Sequence, residues 1–181
     1  EQQFHHLLTD MVWDDVALNR QRIAQMQRLP SEGDGVLIVD DTGFEKKGRQ
    51  SVGVARQYTG TAGKVTNCQV TVNCHYAERT LAWPVVTRLY LPEEWASDAG
   101  RRKQTHVPEA ISLQTKAEIA LALLDEATAC GVEHACVTGD ADYGDNPNFL
   151  NGLEERGERD VVAVRANFTV TLGRSPSSPG R

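Results

Sequence analysis

The chain has no run approaching the roughly 20 apolar residues that a spanning helix needs, so no membrane role is expected of it. Its opening residues, EQQFHHLLTDMVWDD, contain no basic start followed by an apolar core and do not read as a secretory signal. Cysteine is sparse: Cys68, Cys74, Cys130 and Cys136 are the only four. Without a signal they are expected to be reduced thiols of a cytosolic protein. A net charge of −6 excludes an all-over basic nucleic-acid binder, yet leaves room for a local basic strip beside an acidic, metal-binding centre. No internal repeat occurs, nor any G-x-S-x-G, Walker or dinucleotide glycine motif. What remains, at 181 residues, 40% hydrophobic and 24% charged, is the composition of one ordinary globular domain.

Residues 1–30 read as a helical segment. Phe4, Leu7, Leu8 and Met11 share one face, and the pattern restarts with Val16, Ile23 and Met26. Pro30 and SEGDG (31–35) form a linker. VLIVDDT (36–42) is continuously apolar up to its two aspartates, as in a strand buried on both faces. Residues 43–64 read as loop with a short strand around Val52 and Val54. Further strands are expected at 68–77 and 81–91, the latter irregular or at an edge because of Pro84. Residues 92–114 read as a polar loop. Thr115 and Glu118 then match a capping box, opening a helix to Cys130 with Ala120, Leu123, Leu124 and Ala127 on one face and Gly131 as its stop. A strand at 134–140, a helix at 147–156 with Pro147 in its first turn, and a strand at 160–166 complete an α/β order with parallel neighbours. The tail 173–181 (GRSPSSPGR) is expected to be disordered.

The chemistry is suggested by position. Asp40 follows one apolar strand and Asp140 another, and ligand sites in open α/β sheets sit at the carboxyl ends of strands. Two such carboxylates can converge on hard cations such as Mg²⁺, and a two-metal pair clamps the attacking and leaving oxygens of a phosphodiester. Just beyond Asp40 lie Lys46, Lys47, Arg49, Arg56 and Lys64, with no acid among residues 46–64, a strip suited to DNA phosphates. Asp140, Asp142, Asp145 and Asn146 faintly resemble a calcium loop but lack its later Glu. The cysteine spacings do not suit zinc, and His75 and His134 read as packing residues.

Four stretches carry a resemblance. LIVDDTGFEKKGRQSVGVARQYTGTAGKVTNCQVTVNCHYA, RLYLPEEWASD, VTGDADYGDNPNFLNGLEERG and VVAVRAN together resemble the catalytic core of DDE-superfamily transposases. More narrowly, they are similar to the insertion-sequence group numbered seven-oh-one, over residues 4–172. The resemblance implies an α/β, ribonuclease H-like mixed sheet flanked by helices over 36–172, incomplete at its C-terminus. It implies an enzyme that cuts and rejoins DNA at transposon ends in the bacterial cytoplasm, associated with the nucleoid, with DNA and further copies of itself as partners. The family's first catalytic aspartate falls on Asp40 and its second on Asp140, each a ligand of Mg²⁺ or Mn²⁺. The choices between Asp40 and Asp41, and between Asp140 and Asp142, stay open.

Two departures stand out. Glu45 replaces the proline expected before the KKG run and places an acid beside the basic strip. The family's third acid, a glutamate on a later helix, has no counterpart, since nothing acidic follows Asp160. The chain is accordingly expected to be a truncated transposase, inactive alone. The alternatives are a non-catalytic remnant that binds DNA or full-length transposase, and a metal-dependent phosphohydrolase acting on small substrates.

Overall fold

A ten-residue strand, β1 (Val36–Glu45), forms the centre of a six-stranded mixed sheet. The computed structural model describes residue 6 and residues 10–169. On one side β1 pairs antiparallel with the long β3 (Lys64–Ala77), from Val36 opposite Ala77 to Glu45 opposite Cys68. On the other it pairs parallel with β5 (Cys136–Gly139), which in turn pairs parallel with β6 (Asp160–Val162). The outer side of β3 carries two strands end to end, β2 (Ala55–Thr59) and β4 (Ala82–Leu89). This is the ribonuclease H-like mixed sheet that the resemblance implies.

β4 is an edge strand, and its register shifts between Cys74 and His75, opposite Pro84, as the proline suggests. Its free edge is partly covered by α1 (Asp15–Met26), whose Arg22 reaches the carbonyls of Pro84 and Val85. Among the described residues this helix is shorter than expected. Residues 11–14 are non-helical, Asp14 caps the N-terminus, and only Ile23 of the expected face is fully buried. Phe4, Leu7, Leu8 and the 173–181 tail lie outside the described residues.

The core lies on one face of the sheet. Leu37 and Val39 of β1, Val72 and Cys74 of β3 and Val137 of β5 meet α4 (Lys116–Ala129) there. Ala117, Ala120, Leu124 and Ala127 bury one stripe of α4, and Ile119 and Leu123 widen it. The capping box is present: the Glu118 amide donates to Thr115 Oγ1 at 3.2 Å, and the Thr115 amide donates to the Glu118 carboxylate at 2.6 Å. At the other end Gly131 takes φ +73°, and the Val132 amide returns to the Ala127 carbonyl. Against α4 packs α6 (Pro147–Glu155), through Phe149 and Leu153.

Several boundaries differ from expectation. β1 is buried on one face, whereas Val36 and Ile38 on the other are only partly covered. It also runs past Thr42 to Glu45, because the β3 ladder continues beside it, so Asp40 lies in mid-strand rather than at the strand's end. The expected 43–64 loop is kept at 46–54 and 60–63, but its first residues belong to β1, and its short strand lies at Ala55–Thr59 rather than around Val52 and Val54. Gly43 does not break the strand; a Cβ there would lie 1.8 Å from Thr59 Oγ1, so its bareness lets the second strand approach. The expected 92–114 loop contains two short helices, α2 (Glu93–Ala96) and α3 (Ala99–Gln104). Trp95 anchors them, fully buried, with its indole N–H donating to the Val54 carbonyl at 2.8 Å.

Gly43→Ala is expected to destabilise the chain by about 1–3 kcal/mol through overpacking against Thr59. Denaturant unfolding reads this, and an unchanged midpoint would show that β2 yields without cost.

Candidate metal centre

The site begins with register. Val39 of β1 stands level with Gly139 of β5 in a parallel pair, so the next residues, Asp40 within β1 and Asp140 just past the end of β5, lie at the same height. Val39 is buried toward α4, which turns Asp40 to the opposite face of the sheet and Asp41 back toward the helix. Immediately after β5 the chain turns into the four-residue helix α5 (Ala141–Gly144), with Asp140 as its cap. The Asp140 carboxylate accepts the Asp142 amide at 3.0 Å. Asp40 accepts the amide of Asp41 at 2.8 Å.

Around these groups lies a cavity of about 450 Å³, lined on its acidic side by Asp40, Asp41, Asp140 and Asp142, with Lys116, Arg165 and the β2 end also in its wall. The four carboxylates divide into two kinds. Asp41 is ion-paired with Lys116 at 2.5 Å and accepts the Tyr143 hydroxyl at 2.6 Å. Asp142 is ion-paired with Arg165 at 2.6 Å, and the same guanidinium reaches Asp145 at 3.2 Å. Asp40 and Asp140, by contrast, form no ion pair among the described residues. Partial burial raises the Asp140 carboxyl above its ordinary value; the charges of Asp142 and Asp40 push the same way, while the Asp142 and Tyr143 amides oppose them. Burial likewise raises the Tyr143 phenol, reinforced by the charge of Asp41 and the hydrogen bond to it.

The donor set suits a hard cation. Among the described residues no group of three His, Cys, Asp or Glu side chains could hold a metal ion. Two free carboxylates do fit Mg²⁺, which commonly takes one or two protein carboxylates and completes its shell with water. The calcium-loop residues are used otherwise: Asp142 and Asp145 hold Arg165, and Asn146 caps α6. His134 is tied to Glu158 at 3.0 Å, and all four cysteines are free thiols, with burial pushing Cys74 up to about 12.

The five basic residues lie outside the cavity wall. All are exposed. The Lys46–Gly48 turn is held by the Asn67 side chain, which donates to the carbonyls of Lys46 and Gly48 at 2.6 and 2.8 Å. Arg56 lies on β2 two residues before Tyr58, and both are exposed, so β2 runs from the strip to the cavity's rim. Glu45 stands 4.0 Å from Lys64, a pairing between exposed groups and correspondingly weak.

Lys116, Tyr143 and Arg165 were not identified from sequence. Lys116 directly follows the capping threonine, and the other two fall within the DADYG and VVAVRAN runs, but no spacing rule joins them to the aspartates.

Because the Asp140 pKa is raised in the folded chain, its ionisation opposes folding; the stability it contributes is complete below the unfolded value and lost as pH rises through the folded one. Asp140→Asn, which keeps the cap, is therefore expected to raise the unfolding midpoint at neutral pH in chelator, with the gain vanishing below about pH 4. An equal gain at both pH values would contradict this.

Comparison with known proteins identifies the family of the chain. The model of a family described as DDE superfamily endonuclease matches residues 1–181. A curated relative from Microchaete diplosiphon, "Probable transposase for insertion sequence element IS701", is 31% identical over 173 residues, covering 95% of this chain and 43% of the relative. The chain thus spans less than half the length of that relative. No solved structure matches it.

Proposed function

The chain belongs to the DDE superfamily endonucleases, and from that membership we propose that it supplies the first two metal ligands, Asp40 and Asp140, of a transposase that cuts and rejoins DNA at transposon ends. The family works with divalent metal and its transposases act on DNA. No helix among the described residues is long and apolar enough to cross a membrane. The finer reading adds Mg²⁺ or Mn²⁺ in a two-metal arrangement, transposon ends and target DNA as substrates, a homo-oligomer, and a place at the bacterial nucleoid.

The observation that carries the reading is the charge pattern of the cavity. Lys116 and Arg165 neutralise Asp41 and Asp142, leaving two uncompensated carboxylates on adjacent strands. That residual charge attracts cations and offers only oxygen donors. When bound, the ions supply charge stabilisation and an activated oxygen nucleophile for phosphodiester chemistry. The chain's own groups do the rest. The Asp41 and Asp142 amides orient the two carboxylates, leaving each with free lone pairs toward the cavity. Lys46, Lys47, Arg49, Arg56 and Lys64 hold DNA phosphates along β2 and the turn after β1, with no reading of base sequence required.

Two measurements test this. The purified chain is expected to bind Mn²⁺ detectably by electron paramagnetic resonance, and Asp40→Asn or Asp140→Asn to abolish binding with the fold retained. Binding that survives both substitutions would place the ion elsewhere. For DNA, replacing Lys46 and Lys47 by alanine should weaken binding to any duplex and lower the salt slope by about one per lysine. A slope that does not move would remove the turn from the interface.

A further inference from the structure

We propose that Asp41 is a positioning residue that couples the two metal-binding aspartates from the Lys116 side of the shared cavity; this rests on Asp40 and Asp140 being the ligands. One residue touches both arms of the site. Its amide donates to Asp40 Oδ1 at 2.8 Å, and its carboxylate receives the hydroxyl of Tyr143, three residues after Asp140, at 2.6 Å. The pleat of β1 makes this possible: Asp40 faces the cation side, and Asp41 faces the core helix.

α5 needs such an anchor. Four residues cannot sustain a helix by their own hydrogen bonds, since nucleation costs more than one turn returns. Its conformation, and with it the direction of its capping residue Asp140, depends on what holds it. Tyr143 is buried, with 3% exposed, and its ring packs edge-on against Phe149 of α6 with centroids 5.2 Å apart. Gly144 lies so close to the segment after β6 that a Cβ would stand 1.9 Å from the Ala163 carbonyl. The hydroxyl of Tyr143 adds the only side-chain hydrogen bond, among the described residues, from α5 to β1.

Lys116 completes the arrangement. It is the first residue of α4, behind the capping threonine, and its ammonium takes the second oxygen of Asp41 at 2.5 Å. Asp41 therefore has both oxygens engaged and is stabilised as a carboxylate by a cation on one side and a phenol on the other. β1, α4 and α5 are fixed to one another at the level of the metal-binding pair.

Tyr143→Phe removes one oxygen and keeps the ring. In the purified 181-residue chain it is expected to weaken Mn²⁺ binding about tenfold, the usual loss when a group orienting a ligand is removed. Hydrogen exchange at the Asp142 amide, which donates to Asp140, should quicken in parallel. Asp41→Asn should weaken binding similarly and leave it measurable. A purely structural role would lower thermal stability with Mn²⁺ affinity unchanged. Affinity in Tyr143→Phe within about twofold of the parent, with unaltered exchange at Asp142, would overturn the proposal. Abolition of binding by Asp41→Asn, as complete as by Asp40→Asn, would also overturn it by making Asp41 a ligand. Failure of the unsubstituted chain to bind Mn²⁺ would remove the metal reading itself, and the coupling with it.

Discussion

The parallel pairing of β1 with β5 is the constraint on which the rest of the site depends. Val39 and Gly139 stand level across that pair, and the aspartates that follow them stand at one height, Asp40 within β1 and Asp140 just past β5. A one-residue slip would turn Asp40's successor toward Asp140 and bury Asp40 against α4. The slip is prevented by the apolar residues of the same strands. Leu37, Val39 and Val137 are fully buried under α4, and a register one residue off would turn Leu37 and Val39 away from it. Hydrophobic burial thereby fixes the placement of two polar groups that contribute nothing to the core.

Charge then decides what the site can do. Four carboxylates around one cavity repel one another, and two of them are offset by Lys116 and Arg165. The other two form no ion pair among the described residues, and the Asp140 carboxyl is raised by its partial burial, with the charges of Asp142 and Asp40 adding to it. Relief of that repulsion by a divalent ion is what the metal-binding role proposed for Asp40 and Asp140 would supply. The basic strip, on the segment after β1, on β2 and at the start of β3, lies outside the cavity wall.

Much of this was legible in the sequence where the cause is local. The Thr115–Glu118 box, the Gly131 stop, Pro147 at a first turn and Pro84 at an edge each follow from a few neighbouring residues, and each stands as read. The continuous apolar run before Asp40 and the strand before Asp140 located the aspartates. What stayed hidden depends on distant pairing. Gly43 reads as a loop residue from sequence because its need for bareness comes from Thr59, 16 positions away. Trp95, one buried aromatic in a polar stretch, gives no periodicity by which α2 and α3 could be seen. Asp41 finds Lys116 75 positions away and Tyr143 102 positions away, distances over which no motif operates.

The most direct test of the central claim is the position of bound Mn²⁺ by anomalous scattering from crystals of the chain. The account places the anomalous peak between the carboxylates of Asp40 and Asp140 in the cavity they line, with Asp41 still paired to Lys116. A peak on Asp41, with Lys116 displaced from it, would contradict the account and assign the ligand role to Asp41.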